Sequence, residues 1–97
     1  MVHCDTSVGI LNPIDICKDI KEYNHNIITV VDAVSTFGAI PINVDMGIDV
    51  LVTNPNKALE SLMGIGIIIC KHAVVEKLND SSAYSYSLNL KRHYNYS

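Results

Sequence analysis

Apolar residues in this chain gather in short β-branched runs separated by polar turns. Ile27 to Val31, Ile48 to Val52 and Ile65 to Cys70 are each nearly continuous in Val, Ile and Leu. Runs of that length suit strands, and a run without alternation suits a strand buried on both faces. Met1 to Cys4 reads as the end of a further strand. A helical pattern follows it. Asn12 can cap the helix, Pro13 suits its first turn, and Asp15 favours the positive end of the helix dipole. Ile16, Ile20 and Tyr23 then recur at helical spacing, with Lys18, Asp19, Lys21 and Glu22 mostly outward. His72 to Leu78 predicts a second, short helix. Phe37 to Val44 is a connection punctuated by Gly38 and Pro41. The tail from Ser81, rich in Ser, Tyr and Asn, carries the weakest pattern.

That order predicts an α/β fold with two or three parallel strands joined by crossovers. Only a loop separates Ile65 to Cys70 from the Lys57 segment, so this strand can run antiparallel. In open α/β sheets, ligands collect beyond the carboxyl ends of the strands. Cys4-Asp5-Thr6, Val31-Asp32 and Val52-Thr53 all fall there. Asp32 leaves one strand, and Lys57 lies just beyond another, in Thr53-Asn54-Pro55-Asn56-Lys57. An acid and an amine at one sheet edge suit pyridoxal phosphate chemistry. The lysine forms a Schiff base, and the carboxylate holds the pyridine nitrogen protonated so that the ring accepts electrons. Each residue also has a plainer reading. Asp32 can cap the turn after its strand, and Lys57 can be a solvated surface lysine.

Composition narrows the function classes. The chain has 97 residues, 48% apolar and 18% charged, with a formal net charge of −3. That length suffices for one small domain with a modest core. No basic stripe supports nucleic-acid binding. No apolar run approaches the roughly 20 residues that span a bilayer. Met-Val-His-Cys-Asp lacks the basic start and apolar core of a signal peptide. Cys4, Cys17 and Cys70 show no paired spacing, which suggests reduced, buried thiols in a cytoplasmic protein. His3, His25, His72 and His93 are dispersed, with no zinc-site spacing. Gly64-Ile65-Gly66 leads into an apolar strand, not a phosphate-binding helix, which argues against a dinucleotide fold.

Three ordered blocks carry a family resemblance. His3-Cys4-Asp5-Thr6-Ser7-Val8-Gly9-Ile10-Leu11-Asn12-Pro13 resembles a class V aminotransferase stretch of His-x-Glu, three hydroxyl residues, then Gly-x-Leu-x-Pro. Val31-Asp32-Ala33-Val34-Ser35-Thr36-Phe37-Gly38 resembles the block that holds their pyridine-pairing aspartate. Asn56-Lys57-Ala58-Leu59-Glu60 and Gly64-Ile65-Gly66 resemble the block around their Schiff-base lysine. Within the class, Asn56-Lys57 and Ser85-Tyr86-Ser87-Leu88-Asn89-Leu90-Lys91 are most similar to the branch that moves an amino group from 2-aminoethylphosphonate to pyruvate.

The resemblance implies a fold-type I sheet, mostly parallel with one antiparallel strand and flanking helices. It implies pyridoxal 5'-phosphate as cofactor. Lys57 would form the Schiff base and shuttle the substrate proton, and Asp32 would pair with the pyridine nitrogen. Thr6 would hydrogen-bond near the ring hydroxyl, Val34 would pack under the ring, and Asn56 would help hold the phosphate. The small-molecule substrates would be 2-aminoethylphosphonate and pyruvate, and the full-length form would be a homodimer. Residues 1–97 match only the central portion of the large domain, so activity of this chain alone is not expected. The alternatives are a class V alanine/serine–glyoxylate or pyruvate aminotransferase, or a noncatalytic α/β module pairing through Tyr84, Tyr86, Tyr94 and Tyr96. Some positions depart from the family. Asp5 stands where Glu is usual, Val8 where a hydroxyl is usual, and Ser61-Leu62-Met63-Gly64 where Gly-Val-Pro-Gly is usual.

Overall fold

Three β-branched runs form the sheet that positions everything else. Strand β3 (Val30–Asp32) pairs parallel with β4 (Val50–Thr53), and β4 pairs antiparallel with β5 (Ile67–Cys70). The computed structural model describes the backbone of residues 1–97 and every side chain but that of Ser82. On the far side of β3, Val2 makes a single parallel bridge with Asp32. Met1 to His3 thus lies beside β3, with Asp32 N donating to Met1 O at 2.8 Å and His3 N donating to Asp32 O at 2.8 Å. The expected α/β arrangement, parallel with one antiparallel strand, is what forms.

Two local expectations fail for identifiable reasons. A hairpin, β1 (Cys4–Asp5) with β2 (Ile10–Leu11), stands between Met1 to His3 and the first helix, where the sequence predicted a strand end followed by a helix. Asp5 organises its turn: its carboxylate accepts Ser7 N at 3.0 Å and Ser7 Oγ at 2.6 Å. The Ser7 hydroxyl and amide hold the Asp5 carboxyl below its usual range. Gly9, at φ +69°, supplies the left-handed residue that closes the turn. Asn12 therefore does not cap a helix. Its amide donates to Val2 O at 2.8 Å and its N–H to His3 O at 2.8 Å, fastening the base of the hairpin. Helix α1 starts later, at Ile16–Tyr23. Its buried residue is Cys17, while Ile16 and Tyr23 are exposed. The core-facing stripe is thus set by Ile14 and Cys17.

Ile14, Cys17, Val31, Ala33, Ile48 and Leu51 form one buried cluster, with Phe37, Ile42 and Met46 packed against it. Burial raises the Cys17 thiol above its ordinary value. Cys4 and Cys70 are only half-buried, and all three cysteines are free thiols. The run Ile27 to Val31 is not buried on both faces as expected, and β5 is also partly exposed. Val31 is fully buried, but Val30 and Ile68 are about half exposed, at 47% and 49%. Helices α2 (His72–Lys77) and α3 (Leu90–Asn95) pack on each other at the β5 edge. Among the described residues, no helix is long and apolar enough to cross a membrane.

A charged cluster ties α1 to the amino end of β4. Asp49 is buried, and its carboxylate accepts Thr29 N at 2.9 Å and Thr29 Oγ1 at 3.2 Å. It pairs with Lys21, and Lys71 stands 3.6 Å from its other oxygen. Burial pushes the Asp49 carboxyl up, but the Lys21 and Thr29 hydrogen bonds outweigh it and hold the group below its ordinary 3.8. Next to it, Gly47 at φ +85° lies so close to α1 that a Cβ would stand 2.8 Å from the Cys17 backbone. Asp49→Asn is expected to destabilise the chain at neutral pH. The Lys21 side chain keeps 21% exposure, so the loss falls below that of a fully buried pair, at about 2 kcal/mol. A depressed folded pKa stabilises above the unfolded value, and that contribution is lost as pH falls through the folded value. The difference in urea midpoint should therefore begin to shrink as pH falls below the ordinary 3.8 and vanish only beneath the lower folded value. Equal midpoints at pH 7 would show that the cluster contributes nothing.

Candidate active site

Three loops leave the sheet at one edge, and hydrogen bonds join them. The parallel register sets Asp32 opposite Val52, so the loops after β3 and β4 emerge side by side. Ala33 N donates to Val52 O at 2.8 Å, and Thr53 Oγ1 donates to Ala33 O at 3.3 Å. On the other flank, Ser35 Oγ donates to Cys4 O at 3.2 Å. His3 Nδ1 and Thr36 Oγ1 lie 2.8 Å apart. The hairpin, the Asp32 turn and the Lys57 segment thus form one connected rim.

Asp32 is exposed, and its Oδ1 accepts Val34 N at 3.0 Å. It therefore caps its own turn, as the plainer reading held. That bond uses one of roughly four acceptor sites on a carboxylate, so the group can still pair with a ligand cation. Val34 is half-buried in the same turn, where its backbone is fixed by this cap. Thr6 is exposed in the β1–β2 turn. Lys57 is exposed, and its backbone carbonyl accepts Glu60 N at 3.0 Å. Ser61 N closes the same loop onto Pro55 O at 2.8 Å. Leu59 seats this loop against Gly38, whose added Cβ would stand 2.7 Å from it.

The residues of the Lys57 loop fit an anionic ligand group better than a sealed turn. Asn54 and Asn56 each have a buried carboxamide oxygen without a hydrogen-bond partner among the described residues. Buried polar atoms are usually satisfied, so two such atoms flanking Pro55 mark a segment with spare polar capacity. A primary amine, a carboxylate and two carboxamides therefore sit on the loops that leave one edge of the sheet. This is the donor set that pyridoxal phosphate calls for.

An open groove of about 610 Å³ lies between β5 and the α2–α3 pair, lined by Ile68, Cys70, Val75, Leu90 and Tyr94 among others. It contains none of the candidate residues and is largely apolar. Among the described residues, no cluster of His, Cys, Asp and Glu could hold a metal ion. Tyr84, Tyr86 and Tyr96 are well exposed, as the interaction-module alternative requires. Arg92 nonetheless stacks on Tyr86, 3.9 Å from the ring centroid, and lies 5.9 Å from that of Tyr96. These rings therefore organise the tail locally through cation–π contacts.

Sequence analysis did not single out Asn54, Asp49 or the His3–Thr36 pair. Each depends on a contact distant in sequence or on burial; His3 and Thr36 lie in two of the resembling blocks, but nothing local pairs them.

Residues 1–91 match the family model described as aminotransferase class-V. Over 91 residues the chain is 38% identical to 2-aminoethylphosphonate–pyruvate transaminase of Vibrio parahaemolyticus, covering 93% of this chain and 24% of that relative. Over 73 residues it is 45% identical to the Bacillus cereus protein of the same name, covering 73% and 21%. Among solved structures, the subgroup IV aspartate aminotransferase of Thermus thermophilus superposes with a TM-score of 0.84 at 25% identity, over 97% of this chain and 27% of that one. The pyridoxamine–pyruvate aminotransferase of Mesorhizobium loti superposes with a TM-score of 0.70 at 32% identity, over 79% and 20%. The chain thus spans about a quarter of the length of the curated relatives it matches.

Proposed function

This chain belongs to the class-V aminotransferase family, and we propose that the protein carrying it transfers the amino group of 2-aminoethylphosphonate to pyruvate. The products are phosphonoacetaldehyde and alanine. The observation that supports this reading most is that the loops carrying Asp32 and Lys57 leave adjacent parallel strands at the same edge. The name shared by relatives 38% and 45% identical supports the substrate pair.

In this reading pyridoxal phosphate, when bound, supplies an electron-accepting ring for the bond broken at the substrate's amino-bearing carbon. Lys57 Nζ would hold the cofactor covalently and, once displaced, the same amine would accept and return the proton at that carbon. The Asp32 carboxylate would keep the pyridine nitrogen protonated while its Oδ1 stays anchored to Val34 N. Val34 would pack under the ring, the Thr6 hydroxyl would hydrogen-bond near the ring hydroxyl, and Asn56 would help hold the phosphate. We read residues 1–97 as the central portion of the cofactor-binding large domain, inactive as this chain alone, and the complete protein as a cytoplasmic homodimer.

The test is a donor panel with the complete protein. Alanine should form from pyruvate fastest with 2-aminoethylphosphonate. Preference for serine or alanine as donor with glyoxylate would replace the substrate pair and keep the reaction class.

A further inference from the structure

The catalytic rim is held together by a buried pair that the proposed chemistry does not use. His3 is 4% exposed and Thr36 3% exposed. Their side chains bond each other, Nδ1 to Oγ1 at 2.8 Å across 33 residues of sequence. Each residue is also fixed through its backbone at the site. His3 N donates to Asp32 O at 2.8 Å, and Thr36 N closes the Asp32 turn onto Ala33 O at 3.1 Å. Asn12 N then bonds His3 O at 2.8 Å, so His3 is also the foot of the hairpin that carries Thr6. The pair therefore spans the two segments whose spacing sets Thr6 against Asp32.

We propose that His3 and Thr36 are positioning residues, a buried clamp that sets the distance between the Thr6 hairpin and the Asp32 turn. This rests on the proposed cofactor site. Neither side chain touches the reacting atoms. A hydrogen bond is directional where apolar packing is not, so it fixes how the hairpin sits on the turn. Misplacing groups around a bound ring is costly, because catalysis depends on aligned partners.

The test uses the complete protein and reads pyridoxal phosphate affinity, unfolding stability and kcat for four variants. Thr36→Ser keeps the hydroxyl and should behave as the parent. Thr36→Val and His3→Phe each leave one buried polar atom unpaired, so both should lose stability and about tenfold in cofactor affinity and kcat. The double variant His3→Phe, Thr36→Val removes both polar atoms and should regain stability. Its cofactor affinity and kcat should stay low, because the directional bond is still absent. A pair that serves stability alone gives a different result. Cofactor affinity would then recover with stability in the double variant, or never move, and either outcome overturns the clamp. If a single variant fails to fold, the double variant and Thr36→Ser still decide the matter. A parent protein that shows this pattern in cofactor affinity and stability but transfers no amino group sinks the proposed function and supports the clamp. A parent that binds no pyridoxal phosphate overturns both.

Discussion

Lys57→Ala in the complete protein is expected to abolish borohydride-trappable cofactor and to cut turnover by about 10,000-fold, the upper end for a positioned acid–base group. Both losses should come together, because one amine is assigned both tasks. The fold should be untouched. The Lys57 side chain is exposed, and the loop is closed by backbone bonds from Glu60 N to Lys57 O and from Ser61 N to Pro55 O, which alanine retains. Unfolding stability should therefore change by less than about 0.5 kcal/mol, as for surface substitutions away from special features. Absorbance of the bound cofactor and its trapping on the polypeptide check the first part, and a urea titration checks the second. A variant that still traps cofactor would move the attachment point elsewhere.

The sheet was legible because its signals are local. Val30-Val31, Val50-Leu51-Val52 and Ile67-Ile68-Ile69 are β-branched or apolar runs bounded by turn residues, and chain order alone implied which pair runs parallel. Placement of Asp32 and Lys57 at one edge followed from that order. The start of α1 was not legible. Asn12 and Pro13 form a sound local start signal, but the Asn12 carboxamide is taken by Val2 O across the hairpin, and a tertiary bond outweighs a cap. Asp49 lies inside the run Ile48 to Val52, and nothing local marks it. Its role depends on Lys21 and Thr29, which reach it only after α1 and β4 have packed. Burial on both faces was inferred from a continuous apolar run, yet Ile28, Val30 and Ile68 are exposed within these 97 residues. Composition sets the affinity of a face for cover, and only neighbouring elements supply the cover.

The second large effect concerns Asp32, where the structure makes an unusually clean substitution available. Asp32 Oδ1 accepts Val34 N at 3.0 Å, and an asparagine at this position keeps an oxygen that can accept the same bond. Backbone contacts of residue 32, to Met1 O and His3 N at 2.8 Å each, do not involve the side chain. Asp32→Asn should therefore preserve the turn, the hairpin contact and cofactor binding, while removing one negative charge. A neutral amide cannot hold a proton on the pyridine nitrogen, so the ring accepts electrons poorly when the substrate's amino-bearing carbon loses its proton. Removing one preorganised electrostatic contact of this kind raises a barrier by about 3–4 kcal/mol, or roughly 100- to 1000-fold in rate. The loss should appear in kcat and as a slower release of deuterium from the labelled donor. Asp32→Ala loses the Val34 cap as well, so it should also lose stability, which separates the structural share of the residue from the electronic one. Turnover in Asp32→Asn equal to the parent would eliminate the electrostatic role and leave Asp32 as the turn cap alone.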